Sequence, residues 1–279
     1  MKKRIVLCAD DYGQAKAISL GILDLLENGR LSATSCMVNL PDWQEQASWL
    51  IPFQEKIDIG LHFNLTHGKA LAALYRSKHG DVFPSLSQLI SRSYLHSLSQ
   101  TAIEAELNAQ IDYFVNALGF LPHHIDGHQH VHQFPVIRQA IINVYEQRLR
   151  ASNTYIRLIS GRLMLMDWFR HTKKCIVHML GATAMKKLLQ ANNIPHNSTF
   201  SGIYSFALAE QYSAFFPQFL QSVDESGLIM CHPGLAEADD GIAKARFLEY
   251  QYFKSEKFIN DLQAAQVAIK RFHCWDILI

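Results

Sequence analysis

Cysteine is scarce. The 279-residue chain has five, Cys8, Cys36, Cys175, Cys231 and Cys274, an odd number, widely scattered and without CxxC spacing. That argues against a disulfide framework or a cysteine zinc cluster and suits a reducing cytoplasm. Long apolar runs are missing too. No stretch approaches the ~18 uncharged apolar residues needed to cross a bilayer, so a soluble protein is expected. The start, Met1-Lys2-Lys3-Arg4, is basic like a signal peptide, but the apolar run from Ile5 to Ala9 stops at Asp10-Asp11. It is too short for a signal core and reads as a first strand. Charge of one sign is also lacking: 26 Lys and Arg face 25 Asp and Glu, a net +1. With no basic run to neutralise a phosphate backbone, nucleic acid is excluded as the expected partner. No internal repeat or low-complexity tract is visible.

What remains is the composition of a globular protein, 49% hydrophobic and 18% charged. The length fits two small domains or one barrel-like domain, and one domain over residues 1–279 is the expectation. Short apolar runs alternate with longer helical patterns, the mark of βα units and a mainly parallel sheet. Strands are expected at Arg4 to Ala9, Ala33 to Leu40, Ile57 to Phe63, His124 to His128, Tyr155 to Ile159 and Leu228 to His232, with a weaker one at Val267 to Phe272. Several are apolar on both faces, as a parallel strand buried on both sides should be. Ala102 to Leu118 has helical spacing and a Gly119 stop. Another helix is expected after Pro135, which suits a first turn. The Met- and Leu-rich stretch from Arg162 to Asn193 is longer than a plain βα connection and reads as a helical insertion, packed on the barrel or on a partner subunit. Phe215 to Leu220 faces either the core or a second copy, so a homodimer stays open.

Polar residues with chemistry collect where these apolar runs end. Asp10 and Asp11 close the first strand; adjacent carboxylates repel unless a cation or proton separates them, although a solvated turn or helix cap also explains the pair. His62 closes the third strand, as a core histidine or a ligand. The densest segment is His123-His124-Ile125-Asp126-Gly127-His128-Gln129-His130-Val131-His132. Continued as a strand, it would place His124, Asp126, His128, His130 and His132 on one face. That density favours metal binding or catalysis, with Asp126 orienting an imidazole. His232 closes a later strand; its neighbour Cys231 reads more readily as a buried thiol than as a nucleophile. Arg157 could orient an acid, bind substrate or form an ion pair.

In order, the motifs ADDYG, GLHFNLT, HIDGHQHVH and CHPG resemble those of the YdjC-like carbohydrate deacetylases, a group that includes chitooligosaccharide and hopanoid-biosynthesis deacetylases. The resemblance spans Asp10 to His232 and implies an α/β fold, a distorted TIM-like (β/α) barrel with a divalent metal, usually magnesium. It implies that Asp11, His62 and His128 hold the metal, that Asp10 is the general base and that His232 is the acid. Asp126, His130, His132 and Arg157 are left to support these groups or bind substrate. Tyr12 stands where phenylalanine is common in the family, and the compact chitooligosaccharide enzymes lack the insertion. Coordination chemistry pulls towards zinc, because one carboxylate and two imidazoles form a known catalytic zinc set, whereas magnesium prefers oxygen.

The expected reaction is hydrolysis of an N-acetyl group on a small carbohydrate. Amide hydrolysis needs an activated water, a stabilised oxyanion and a proton for the amine, and these residue types supply all three. The alternatives are a lipid- or glycan-linked amino sugar as substrate, a metal-dependent phosphoesterase, and a non-catalytic metal- or carbohydrate-binding protein.

Overall fold

A computed structural model describes residues 2–160 and 181–272. Most of the expected insertion, 162–180, lies outside the described residues. The strands are β1 (Lys3–Tyr12), β2 (Ala33–Cys36), β3 (Asp58–Phe63), β4 (His124–Gly127), β5 (Tyr155–Ile156), β6 (Phe200–Ser201), β7 (Gly227–Cys231) and β8 (Val267–Ile269). They form one sheet in the order β5-β4-β3-β2-β1-β7-β6, with β8 against the start of β1. Every ladder is parallel. The sheet curls until its edges meet: Ile156 bridges His196, and the Phe200 N–H donates to the Ser160 carbonyl at 2.6 Å. The result is a distorted (β/α) barrel, as expected.

Period-two alternation sorts β1 between two cores. Ile5, Leu7 and Ala9 pack outward with the helices. Val6 and Cys8 join Ala33, Tyr155, Phe200, Leu228 and Met230 in the barrel interior, which is therefore filled with side chains. The helices are α1 (Lys16–Glu27), α2 (Trp43–Ser48), α3 (Ala73–His79), α4 (Leu86–Tyr94), α5 (Gln100–Leu118), α6 (Ile137–Val144), α7 (Ala182–Ala191), α8 (Tyr212–Ser222), α9 (Ala243–Lys254) and α10 (Glu256–Ala264). Helix α5 buries Ile103, Leu107, Ile111, Phe114 and Leu118. It opens on the Ser99 hydroxyl, which accepts the Ala102 N–H, and ends at Gly119 with φ +84°, a left-handed stop that costs glycine little. In α8, Phe216, Phe219 and Leu220 belong to the core. Among the described residues no helix is long and apolar enough to cross a membrane.

The elements differ from the sequence expectation mainly at their ends. β2 stops at Cys36 rather than Leu40, β4 at Gly127, β5 at Ile156, β7 at Cys231 and β8 at Ile269. His128 and His232, expected to finish β4 and β7, instead begin loops at the barrel mouth, where their side chains are free of the pleat. Pro135 does not open α6: its carbonyl accepts the Ser93 hydroxyl at 2.5 Å, and the helix starts at Ile137 after Val136 with φ +64°. β6 carries too few residues to show a strand pattern. The described end of the expected insertion is α7, which buries Ala182, Met185 and Leu189 and packs near α6.

Candidate active site

A regular strand would send the Asp10 and Asp11 side chains to opposite faces. The register of β1 on β2 slips here: Ala9 pairs with Thr34, but Tyr12 pairs with Cys36. Three steps on β1 match two on β2, a bulge of one residue, with Asp11 at φ +69°. Bulges re-aim side chains, and aspartate tolerates the left-handed region better than most residues. Both carboxylates therefore reach the mouth of the barrel at the C-terminal ends of the strands, where (β/α) barrels assemble their sites.

Each carboxylate has its own anchors. Arg157, just beyond β5 and fully buried, donates to both oxygens of Asp10, at 2.7 and 2.6 Å. The same guanidinium lies 2.5 Å from Asp126 Oδ2. Asp126 Oδ1 accepts the Ser35 hydroxyl at 2.5 Å and faces His62 Nδ1 at 2.6 Å. This leaves His62 Nε2 turned to Asp11 Oδ1, 3.3 Å away. His128 Nδ1 meets the same oxygen at 2.9 Å. Arg246 of α9 holds Asp11 Oδ2 at 2.7 Å and is itself held by Asp240 at 2.7 Å and by Gln14 at 3.2 Å.

The histidine-rich segment does not continue as a strand. After Gly127 it coils into 3₁₀ turns, with Gln129 and His130 at φ +53° and +61°. A Cβ on Gly127 would lie 2.8 Å from the His132 nitrogen, so the turn requires glycine there. The expected shared face therefore divides. His128 joins Asp11 and keeps 14% of its side chain exposed. His132 is buried, and its Nε2–H donates to the Arg157 carbonyl at 3.1 Å, a supporting role. His130 packs edge-on against Phe200, 5.9 Å between ring centres. His124 lies below the site, stacked on Tyr155 with Nε2 3.8 Å from Cys8 Sγ. Gly60 makes room for it, since a Cβ there would sit 2.3 Å from the ring. His232, past β7, lies deep in the bowl yet keeps part of its surface open; Phe206 packs edge-on against it at 5.4 Å. Cys231 accepts no catalytic role: it is buried, its Sγ is directed at the Cys8 carbonyl, and burial raises its thiol well above the ordinary value.

Burial alone would push the Asp11 and Asp126 carboxyls up. Arg246 and His128 hold Asp11 well below the usual carboxylate range, and Arg157 and His62 do the same for Asp126. Burial would lower His62, but Asp126 and Asp11 on its two nitrogens drive it up to about 10. Without a cation, a proton thus bridges Asp11 and Asp126 through His62. Because the His62 pKa is raised, its contribution to stability is complete below 6.5 and is lost as pH climbs towards about 10, by up to ~1.4 kcal/mol per pH unit. The depressed Asp11 and Asp126 act oppositely, stabilising above the ordinary carboxylate pKa and failing as pH falls below it. Chelator-treated protein is therefore expected to unfold at lower denaturant at pH 9 than at pH 6.5. Equal midpoints would contradict the proton bridge.

The donor set fits a metal ion. One ligand atom each from Asp11, His62 and His128 lie within 4.8 Å of one another. The bond from Asp126 fixes the His62 ring with Nε2 outward, the carboxylate–imidazole arrangement that orients metal ligands. The groups Cys8-His124-Asp126 and Asp10-His62-Asp126 also bring ligand atoms within 4.8 Å of one another. Their shared Asp126 is already taken by Arg157, whose positive charge disfavours a cation beside it.

Arg246, Asp240, Gln14, Ser35, Glu249 and Tyr204 were not singled out from the sequence. Glu249 accepts the His232 N–H at 2.5 Å and the Tyr204 hydroxyl at 2.6 Å; burial raises its carboxyl to about 7 against those two donors. Arg246 and Glu249 sit one turn apart on α9 and look, in sequence, like any charged helix surface.

The fold and this centre define a (β/α) barrel with a carboxylate–imidazole cluster at its C-terminal mouth whose donor atoms could hold a cation. The chain belongs to the YdjC-like protein family, whose pattern matches residues 4–264. It is 28% identical over 243 residues to the chitooligosaccharide deacetylase of Yersinia enterocolitica, covering 85% of this chain and 84% of that protein. The Serratia marcescens chitooligosaccharide deacetylase is 29% identical over 245 residues, with the same coverage. In fold, the chain is similar to the crystal structure of an Enterococcus faecalis protein named for cellobiose-phosphate cleavage, at TM-score 0.73 and 18% identity over 98% of this chain and 99% of that one.

Proposed function

We propose that this protein is a metal-dependent hydrolase that removes the acetyl group from an N-acetylated amino sugar, and that residues 1–279 act as one domain in the cytoplasm. The observation that carries the reading is the separation of two carboxylates at one strand end: Asp11 is turned to two imidazoles, while Asp10 is held apart by Arg157. A pure binding site has no need of the second, independently anchored acid. The relatives named as chitooligosaccharide deacetylases support the substrate class.

Asp11, His62 and His128 would hold the cation. When bound, it supplies Lewis acidity towards the acetyl carbonyl and lowers the pKa of water. Two nitrogens and one oxygen favour zinc over magnesium on donor chemistry, and the family resemblance favours magnesium. Asp10 takes the proton from the attacking water. Arg157 fixes that carboxylate on one side, leaving its remaining lone pairs to accept. His232 delivers a proton to the sugar nitrogen as acetate leaves. Burial lowers its ring to about 4 against the pull of Asp11 and Asp10, so the neutral ring takes up a proton from solvent through its open surface before it donates, and Asp10 returns the water's proton to solvent. Glu249 and Arg246 position His232 and Asp11 respectively.

The test is product balance on N-acetylglucosamine oligosaccharides. Acetate and free amine are expected in equal amounts, with no phosphate from a generic phosphate monoester. Phosphate release without acetate would overturn the proposal in favour of a phosphoesterase; acetate only from a lipid-linked amino sugar would replace the substrate.

A further inference from the structure

The barrel mouth is unevenly furnished. β3 ends in His62, β4 leads to His128, β1 brings Asp10 and Asp11, and β7 leads to His232. Over β5 Arg157 is already committed to Asp10 and Asp126, while on β6 Phe200 is apolar and Ser201 is paired with Ser222 of α8. His130 is turned into this sector.

Its backbone is left-handed at φ +61°, directly after Gln129 at φ +53°, a region that non-glycine residues enter only at a cost in strain. The strained pair brings the imidazole over β6, edge-on to Phe200 at 5.9 Å and to His132 at 6.5 Å, and His132 is tied to the Arg157 carbonyl. The ring is thus fixed from behind: Nδ1 is buried without a hydrogen-bond partner among the described residues, and the partly exposed remainder of the residue leaves Nε2, which has no partner among the described residues, as the nitrogen able to meet a ligand. A buried ring nitrogen left unpaired is costly. Neither stability nor the proposed cation site accounts for a strained, rigidly backed and unpaired imidazole at this point.

We propose that His130 is a substrate-binding residue that hydrogen-bonds a ring hydroxyl of the amino sugar, fixing the sugar across the bowl from Asp11 and His62. A neutral imidazole carries one donor and one acceptor, and a hydroxyl can meet either. The role rests on the deacetylase reading and extends it from the acetamide to the sugar ring.

His130→Gly separates binding from structure, because glycine relieves the left-handed strain. The variant is expected to unfold at the same or a higher denaturant concentration and to bind one cation per chain as the parent does. KM for the N-acetylglucosamine disaccharide should rise about tenfold with kcat within about threefold, the loss of one hydrogen bond made before the transition state. His130→Gln, which keeps a donor and an acceptor, should recover part of that KM. An unchanged KM in both variants, with the parent active, would overturn the assignment, and so would a fall in kcat at constant KM. A parent that releases no acetate would overturn the deacetylase reading itself, and this inference with it.

Discussion

Asp10→Asn is expected to lower acetate release by about 10²- to 10⁴-fold, the usual worth of a positioned general base. The amide has nearly the volume of the carboxylate and keeps one oxygen for Arg157, whose charge Asp126 still balances, so the fold and the bound cation should survive. It cannot take a proton from water. Steady-state rates on N-acetylglucosamine oligosaccharides, measured beside cation content, check this. A rate within tenfold of the parent would place the base elsewhere. Asp11→Asn is predicted to differ in kind, by weakening the cation itself.

The second large effect is on stability. Arg157 is fully buried and is the counter-charge for two buried carboxylates, Asp10 and Asp126. Arg157→Met keeps much of the apolar stem but leaves Asp10 without its counter-charge and Asp126 with His62 alone. Breaking a buried pair from one side costs about 3–5 kcal/mol, a large share of the total stability of a globular domain. Urea unfolding should show that loss, and adding Asp10→Asn and Asp126→Asn to the same chain should return part of it. A change below about 1 kcal/mol would mean that solvent reaches the cluster. The same variant frees the Asp10 carboxylate to rotate, so activity is expected to fall with stability.

The positions of Asp10, Asp11, His62, His128 and His232 were legible because parallel strands buried on both faces read as apolar runs, and the first polar residues after such runs mark the barrel mouth. The bulge that turns Asp10 and Asp11 the same way was not legible: it is a matter of register with β2, and no local residue pattern announces it. Alternation failed at His130 and His132 because Gly127 permits the chain to fold back where a strand would have run on. Arg246 and Glu249 were invisible for another reason. On a helix their charges read as solvent-facing, and only the docking of α9 over the mouth buries them against Asp11 and His232.

Chelator-stripped protein titrated with magnesium or zinc, with acetate release followed on an N-acetylglucosamine oligosaccharide, tests the central claim most directly. The account predicts no release from the stripped protein, recovery that saturates at one cation per chain, and no recovery in folded His128→Ala. Full activity in the stripped protein, or undiminished recovery in His128→Ala, would contradict it.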